Sequence, residues 1–161
     1  MLFRPEMLED ADAIRMLTAA AFATAPHSDG SESAIVDRLR AAGDLLLSLL
    51  ALDDIPVAHV AFSPVSLDAP GRWIALGPVS VMPDRQGEGI GTALIESGLA
   101  RMRETGLAGC VLLGEPGYYA RFGFRNDLGL TYGDAQVRYV QGLPFGTTLP
   151  RGEVAFAPAF G

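Results

Sequence analysis

A single cysteine, Cys110, in 161 residues excludes any disulfide within the chain and leaves cysteine usage silent on redox compartment. Long apolar runs are also missing. The longest, Leu45 to Leu52 with Ser48 inside it, falls far short of the ~20 residues needed to cross a bilayer, so no membrane partner is expected. The opening residues, MLFRPEMLEDADAI, turn acidic at once and hold no apolar segment of the signal-peptide kind, which points to a cytoplasmic protein. Positive charge is scarce as well. A formal net charge of −7 provides no basic face for a phosphate backbone and argues against general nucleic-acid binding, while weakly favouring a cationic partner. Internal repeats, metal-ligand clusters and Ser-His-Asp signatures are absent.

What remains is the composition of a folded protein, 49% apolar and 19% charged. A chain near this length buries ~70% of its unfolded surface, enough for one real core, so a single domain over 1–161 is expected.

The chain is organised around residues 73–94, WIALGPVSVMPDRQGEGIGTAL. Residues 73–82 are apolar and rich in β-formers, yet Gly77 and Pro78 sit inside them. Pro78 has no N–H for a ladder, so this strand must bulge there or lack a full neighbour. After Pro83 the chain turns through Gly87, Gly89 and Gly91 and enters a helix-forming run from Thr92 to about Glu104. Glycines let backbone approach a ligand closely, and the first N–H groups of a helix form an anion site. A P-loop would require Gly-Lys-Ser/Thr, and no lysine follows these glycines. The dinucleotide fingerprint G-x-G-x-x-G fails too, because its third glycine falls on Leu94 or on Thr92.

Around this centre the elements follow in order. Leu2–Arg4 read as a strand, and a helix with Ile14, Leu17 and Ala21 on one face follows. TAPHSDGS, residues 24–31, reads as a loop. Asp29-x-x-Glu32 reads as a capping box for a second helix carrying Ile35, Val36 and Leu39 and stopped by Gly43. Leu45–Leu52 and Val57–Val65 form a hairpin around Asp53 and Asp54. His59 then sits mid-strand on a small-residue face, where a hydrogen-bonded core group is the more ordinary role, and His27 reads as exposed. In the helix after the glycines, Glu88, Thr92, Glu96 and Arg103 share a wet arc of ~80°, on which Leu99 has no explanation. Val111–Leu113 complete a strand–helix–strand unit and so a parallel pair. Cys110 reads as a small buried hydrophobe with no neighbouring base. Pro116 suits the start of a short helix, Gly123 its left-handed stop and Phe124 the start of a strand. Gln136–Val140 and Glu153–Phe156 are candidate strands.

Gln86-x-x-Gly89-x-Gly91, after a strand and before a helix, resembles the coenzyme A pyrophosphate motif Gln/Arg-x-x-Gly-x-Gly/Ala of the GNAT superfamily of acyl-CoA-dependent N-acetyltransferases. The proline-containing strand before it and GYYARFGF at 117–124 stand where that family has them. The resemblance spans nearly the whole chain, and the second half is most similar to the YhbS-like branch.

The resemblance implies an α/β fold: a mixed six- to seven-stranded sheet, split at a bulged fourth strand, with helices on both faces. It implies acetyl-CoA as cofactor, its pantetheine arm pairing with backbone at Val79 and Val81 and its pyrophosphate held by amides of Gln86, Gly87, Glu88, Gly89, Ile90, Gly91 and Thr92. A small-molecule or peptide amine would be the acceptor, shaped by the first two helices and their loop, and a homodimer is allowed. Tyr119 would be the general acid. Family members often carry a carboxylate base on the fourth strand, but residues 73–82 contain none, which leaves His59 or Glu32 acting through water. A non-catalytic acyl-CoA-binding or sensor domain is the alternative.

Overall fold

The computed structural model describes residues 1–161. Strand β1 (Leu2–Pro5) leads into helices α1 (Ala11–Phe22) and α2 (Glu32–Ala42), then strands β2 (Leu47–Asp53), β3 (Ile55–Ser66) and β4 (Trp73–Val81). Helix α3 (Ile90–Arg103) connects β4 to β5 (Gly109–Leu113), which is followed by the one-turn helix α4 (Pro116–Tyr119). Short strands β6 (Leu130–Thr131), β7 (Val140–Pro144), β8 (Gly152–Glu153) and β9 (Ala155–Phe156) end the chain.

Seven strands form the main sheet in the order β1-β2-β3-β4-β5-β7, with β9 on the far end of β3, while β6 and β8 pair separately. The β4–β5 pair is parallel and the others in the main sheet are antiparallel, as a helical crossover between β4 and β5 requires. Alternation along the strands divides the core. Leu49, Val60 and Phe62 face α3 with Leu94, Ile95 and Leu99, whereas Leu50 faces the other way against Ile14 and Leu17 of α1 and Val36 of α2. Helices therefore cover both faces, and the mixed split sheet is the one anticipated.

Several local expectations give way to tertiary context. The capping box does not form: Asp29 accepts the backbone N–H and the hydroxyl of Ser31, and Glu32 accepts the hydroxyl of Ser28. Both carboxylates thus close the loop rather than cap α2. Leu99 is buried because α3 lies across β2, β3 and β4 and covers a wider arc than one strand would offer. Phe124 starts no strand; only Arg125 bridges Gly142. Residues 137–139 make a 3₁₀ turn before β7, and 153–156 divide between β8 and β9, which serve different sheets.

Candidate active site

The site begins with how β4 is paired. Its first residues lie between two neighbours, with Trp73, Ile74 and Ala75 opposite Gly109, Cys110 and Val111 of β5. Beyond Ala75, β5 pairs with nothing on β4. The register with β3 also slips here: Val60 pairs with Val79 but Phe62 with Leu76, so β4 carries one extra residue at Gly77–Pro78. That bulge turns the strand away from β5 and opens the sheet. Met82 N–H bonds to Val57 on β3, so by antiparallel alternation Ser80 also turns its backbone to β3 while Val79 and Val81 turn theirs into the gap. Their side chains pack against the α3-side core.

The gap ends at the glycine turn. Gln86 closes it by donating from Nε2 to the Val81 carbonyl at 3.1 Å. The first backbone bond of α3 runs from Ala93 N–H to Gly89, and no N–H from Gln86 to Thr92 donates to a backbone carbonyl. Gly89, as N-cap, has φ +85°, a left-handed conformation open to glycine without strain. Gly91 is needed for another reason: a Cβ there would meet Val81 Cγ2 at 3.1 Å, so its absence lets α3 sit down on β4. The result is a pocket of about 350 Å³ lined by Val81, Gln86, Gly87, Gly89, Ile90, Gly91 and Thr92. An anion placed here would meet unpaired amides and the positive end of a helix. Val79 lies outside this lining, and the Glu88 side chain turns away to pair with Arg85.

Three further residues line the pocket that the sequence did not single out: Arg85, Tyr118 and Arg121. Arg85 is held by Asp53 and Glu88. Arg121 is not paired with a carboxylate; its guanidinium lies 4.3 Å over the Tyr118 ring and its Nε donates to the Tyr118 carbonyl. Tyr118 in turn shares a 2.8 Å hydrogen bond with Thr92 at the head of α3. Tyr118 and Arg121 both lie inside GYYARFGF, but their approach to a loop 26 or more residues earlier is a product of the fold, with no local signal.

Tyr119 points elsewhere. Its ring packs between Tyr118, Phe122 and Phe124 and against Gly114, where a Cβ would fall 2.4 Å from the ring. Burial, with smaller contributions from Tyr118 and Cys110, pushes its hydroxyl up to about 12. It is therefore a neutral phenol on the β5 side of the core. Cys110 is fully buried and its thiol is pushed far up by burial, which removes it as a nucleophile.

His59 and Glu32 lie apart from the pocket and from each other. His59 is buried on the α1–α2 face, opposite Ser80, and its Nε2 is 2.7 Å from Ser48 Oγ. Ser48 also bonds to Glu6, which Arg40 grips at 2.7 and 3.0 Å. Hydrogen bonds from Arg40 and Ser48 overcome burial and hold the Glu6 carboxyl below its ordinary range. An ionised Glu6 only accepts, so Ser48 donates to it and His59 Nε2–H donates to Ser48, which leaves Nδ1 as the lone-pair nitrogen, without a partner. Burial lowers the imidazole to about 4. His59 is a neutral structural tie, poorly placed to take protons. Glu32 lines a separate pocket at the α1–α2 loop.

The acetyltransferase (GNAT) family model matches residues 11–124. The uncharacterized N-acetyltransferase YhbS of Escherichia coli K12 is 38% identical over 127 residues, covering 77% of this chain and 73% of that protein. A GNAT family acetyltransferase from Brucella melitensis, solved in complex with acetyl-CoA, is 48% identical with a TM-score of 0.87, covering 99% of this chain and 97% of that one. The structure of E. coli YhbS with CoA gives a TM-score of 0.89 at 30% identity, over 99% and 91% of the two chains. No helix of the chain is long and apolar enough to cross a membrane. On the family match and the identity to YhbS, the chain belongs to the GNAT family of acetyltransferases.

Proposed function

We propose that the protein transfers an acetyl group from acetyl-CoA to a primary amine by direct attack in a ternary complex. The observation that carries this reading is continuity: Val79 and Val81 turn their backbone into the gap, where only the Val81 carbonyl is taken, by Gln86 Nε2, and unpaired amides from Gln86 to Thr92 follow, one slot suited to an amide-bearing arm followed by a pyrophosphate. The acetyl-CoA and CoA complexes of the Brucella and E. coli relatives support the same assignment. Acetyl-CoA, when bound, supplies a thioester whose carbonyl carbon accepts the amine nitrogen as the carbon–sulfur bond breaks.

The chain's own residues then divide the work. The amides from Gln86 to Thr92 and the Arg121 guanidinium hold phosphate oxygens, each amide-to-anion bond contributing ~1.5–3 kcal/mol before solvent screening. Val79 and Val81 align the arm along β4. Tyr119, kept protonated by burial, donates its proton to the departing thiolate. A lysine-like amine must first become neutral, at ~4.6 kcal/mol for pKa ~10.4 at pH 7. No carboxylate on β4 assists this step, and direct attack requires no enzyme nucleophile, consistent with the inert Cys110. A cytoplasmic setting and a single catalytic domain belong to the same reading.

Release of free CoA thiol from acetyl-CoA, followed across a panel of aliphatic amines and short peptides, is the test. Amine-dependent release supports transfer. Tight CoA binding with no release for any amine would instead favour an acyl-CoA sensor.

A further inference from the structure

The pocket at the glycine turn is lined by two arginines in opposite situations. Arg121 has no carboxylate partner. Arg85 has two: its Nε donates to the Glu88 oxygens at 3.1 and 3.2 Å, and its Nη1 donates to Asp53 at 3.1 Å. These carboxylates come from different parts of the chain. Glu88 belongs to the glycine turn, where its own N–H is among the amides that meet no backbone carbonyl. Asp53 ends β2, 32 residues before Arg85. Two guanidiniums and two carboxylates thus cancel at the place where unpaired amides and a helix N-terminus favour an anion.

The hold on Arg85 is loose enough to exchange. The side chains of Asp53 and Glu88 are 52% and 47% exposed, and ion pairs so open to water are screened and contribute little. Arg85 also has donors to spare. A guanidinium carries five N–H groups, and no hydrogen bond of Arg85 uses Nη2. The Nη1–Nη2 edge is the one that matches two oxygens of a phosphate, and only the Asp53 contact obstructs it.

We propose that Asp53 and Glu88 set the affinity of the cofactor site by competing with the bound pyrophosphate for Arg85. In the free protein Arg85 stays on the carboxylates. In the loaded protein its Nη edge turns to phosphate oxygens, and Asp53 and Glu88 are left to solvent. The cofactor is therefore held less tightly than the amides and two arginines alone would hold it, and spent CoA leaves as the carboxylates reclaim the guanidinium. The proposal rests on the acetyl-CoA reading of this pocket and adds how its affinity is tuned. It also gives a role to Glu88, whose carboxylate in an anion-binding turn is otherwise only repulsive.

The test is calorimetric titration of CoA into the full chain as wild type, Glu88→Gln, Asp53→Asn, Arg85→Gln and the double variant Arg85→Gln/Glu88→Gln. Glu88→Gln and Asp53→Asn should each tighten CoA by about fivefold, and Arg85→Gln should weaken it by about as much. With Arg85 already replaced, the further change of Glu88 should alter affinity by less than about twofold, because no guanidinium is left to compete for. Asp84→Asn is the control for net charge: Asp84 is exposed, adjoins Arg85 in sequence and takes no part in its ion pairs, so affinity should stay within about twofold. Dephospho-CoA, which lacks the ribose 3′-phosphate, should show the same gain in Glu88→Gln, since Arg85 adjoins the turn amides. Unchanged or weaker CoA binding in Glu88→Gln overturns the proposal. So does a gain that persists without Arg85, an equal gain in Asp84→Asn, or a gain confined to CoA and missing with dephospho-CoA. In each of these cases CoA still binds and the acetyl-CoA reading stands; CoA binding to none of the proteins would overturn that reading and this proposal together.

Discussion

On the α3 side of the sheet the packing is nearly dry: Leu49, Val60, Phe62, Leu94, Ile95 and Leu112 interlock, and Gln141, the buried polar side chain opposite Leu112, is bonded to the Gly114 carbonyl. On the α1–α2 side the same strands present Ser48, His59, Ser63 and Ser80, and of these only Ser48 has all its polar atoms bonded. The dry face fixes α3 and with it the glycine turn, so that unpaired amides stand at one place. The polar face carries groups that an apolar core would not retain, because each buried unsatisfied hydroxyl costs about 1–3 kcal/mol. One face thus fixes the glycine turn, while the other keeps polar groups unsatisfied within the protein.

The largest effect expected from breaking this contrast is on stability at low pH. His59 has an unfolded pKa near 6.5 and about 4 when folded, so between those values the unfolded chain binds the extra proton. Its contribution, about 3 kcal/mol, is fully present above 6.5 and is lost as pH falls toward 4. Denaturant titrations of wild type and His59→Gln at pH 7 and pH 4.5 measure it; a variant that loses as much stability as wild type over that interval removes His59 as the cause. The Glu6 carboxyl, held low by Arg40 and Ser48, adds its own loss at lower pH in both proteins.

The next effect lies on the dry side. Tyr119→Phe should lower kcat about 10²-fold with CoA affinity unchanged, and Tyr118→Phe should act mainly on CoA affinity through the lost bond to Thr92. Normal turnover by Tyr119→Phe would make that residue packing only. Gly89→Val and Gly91→Val should each weaken CoA about tenfold or more, the first by backbone strain at φ +85° and the second by pushing α3 off Val81. The rise in melting temperature on adding CoA reports both, and an undiminished rise in folded variants would move the pyrophosphate elsewhere. Smallest is Arg121→Ala: an exposed cation of this kind contributes about 1 kcal/mol, or roughly fivefold in CoA affinity, and the loss should shrink in high salt.

The two sides were not equally legible in the sequence. The strand, the glycine turn and the helix are local, written in Pro78, Gly89 and Gly91, and their fold context followed from alternation and helix stops such as Gly43 and Gly123. Pairing at a distance was not. Nothing near Glu6 announces Ser48, 42 residues on, and nothing in ARF announces that Arg121 will stack on Tyr118 beside Thr92. Glu32 read as a helix cap because capping is a four-residue pattern, whereas its actual partner, Ser28, depends on how the whole loop folds back. Short tail strands failed for the same reason: two-residue pairs such as β8 with β6 are decided by the partner's position and hardly at all by propensity.

The half-paired stretch of β4 has a further consequence. From Leu76 to Val81 one edge of an interior strand has no neighbouring strand, and it is interrupted only at Pro78, which has no N–H, and at the Val81 carbonyl, which Gln86 takes; no charged residue stands among them. On the proposed reading a non-peptide arm completes that edge, so the loaded protein has a closed sheet and the free protein an open one. Starved of its thioester, the molecule would carry a ready template for another chain's strand, and the small molecule it consumes would also be what keeps copies apart.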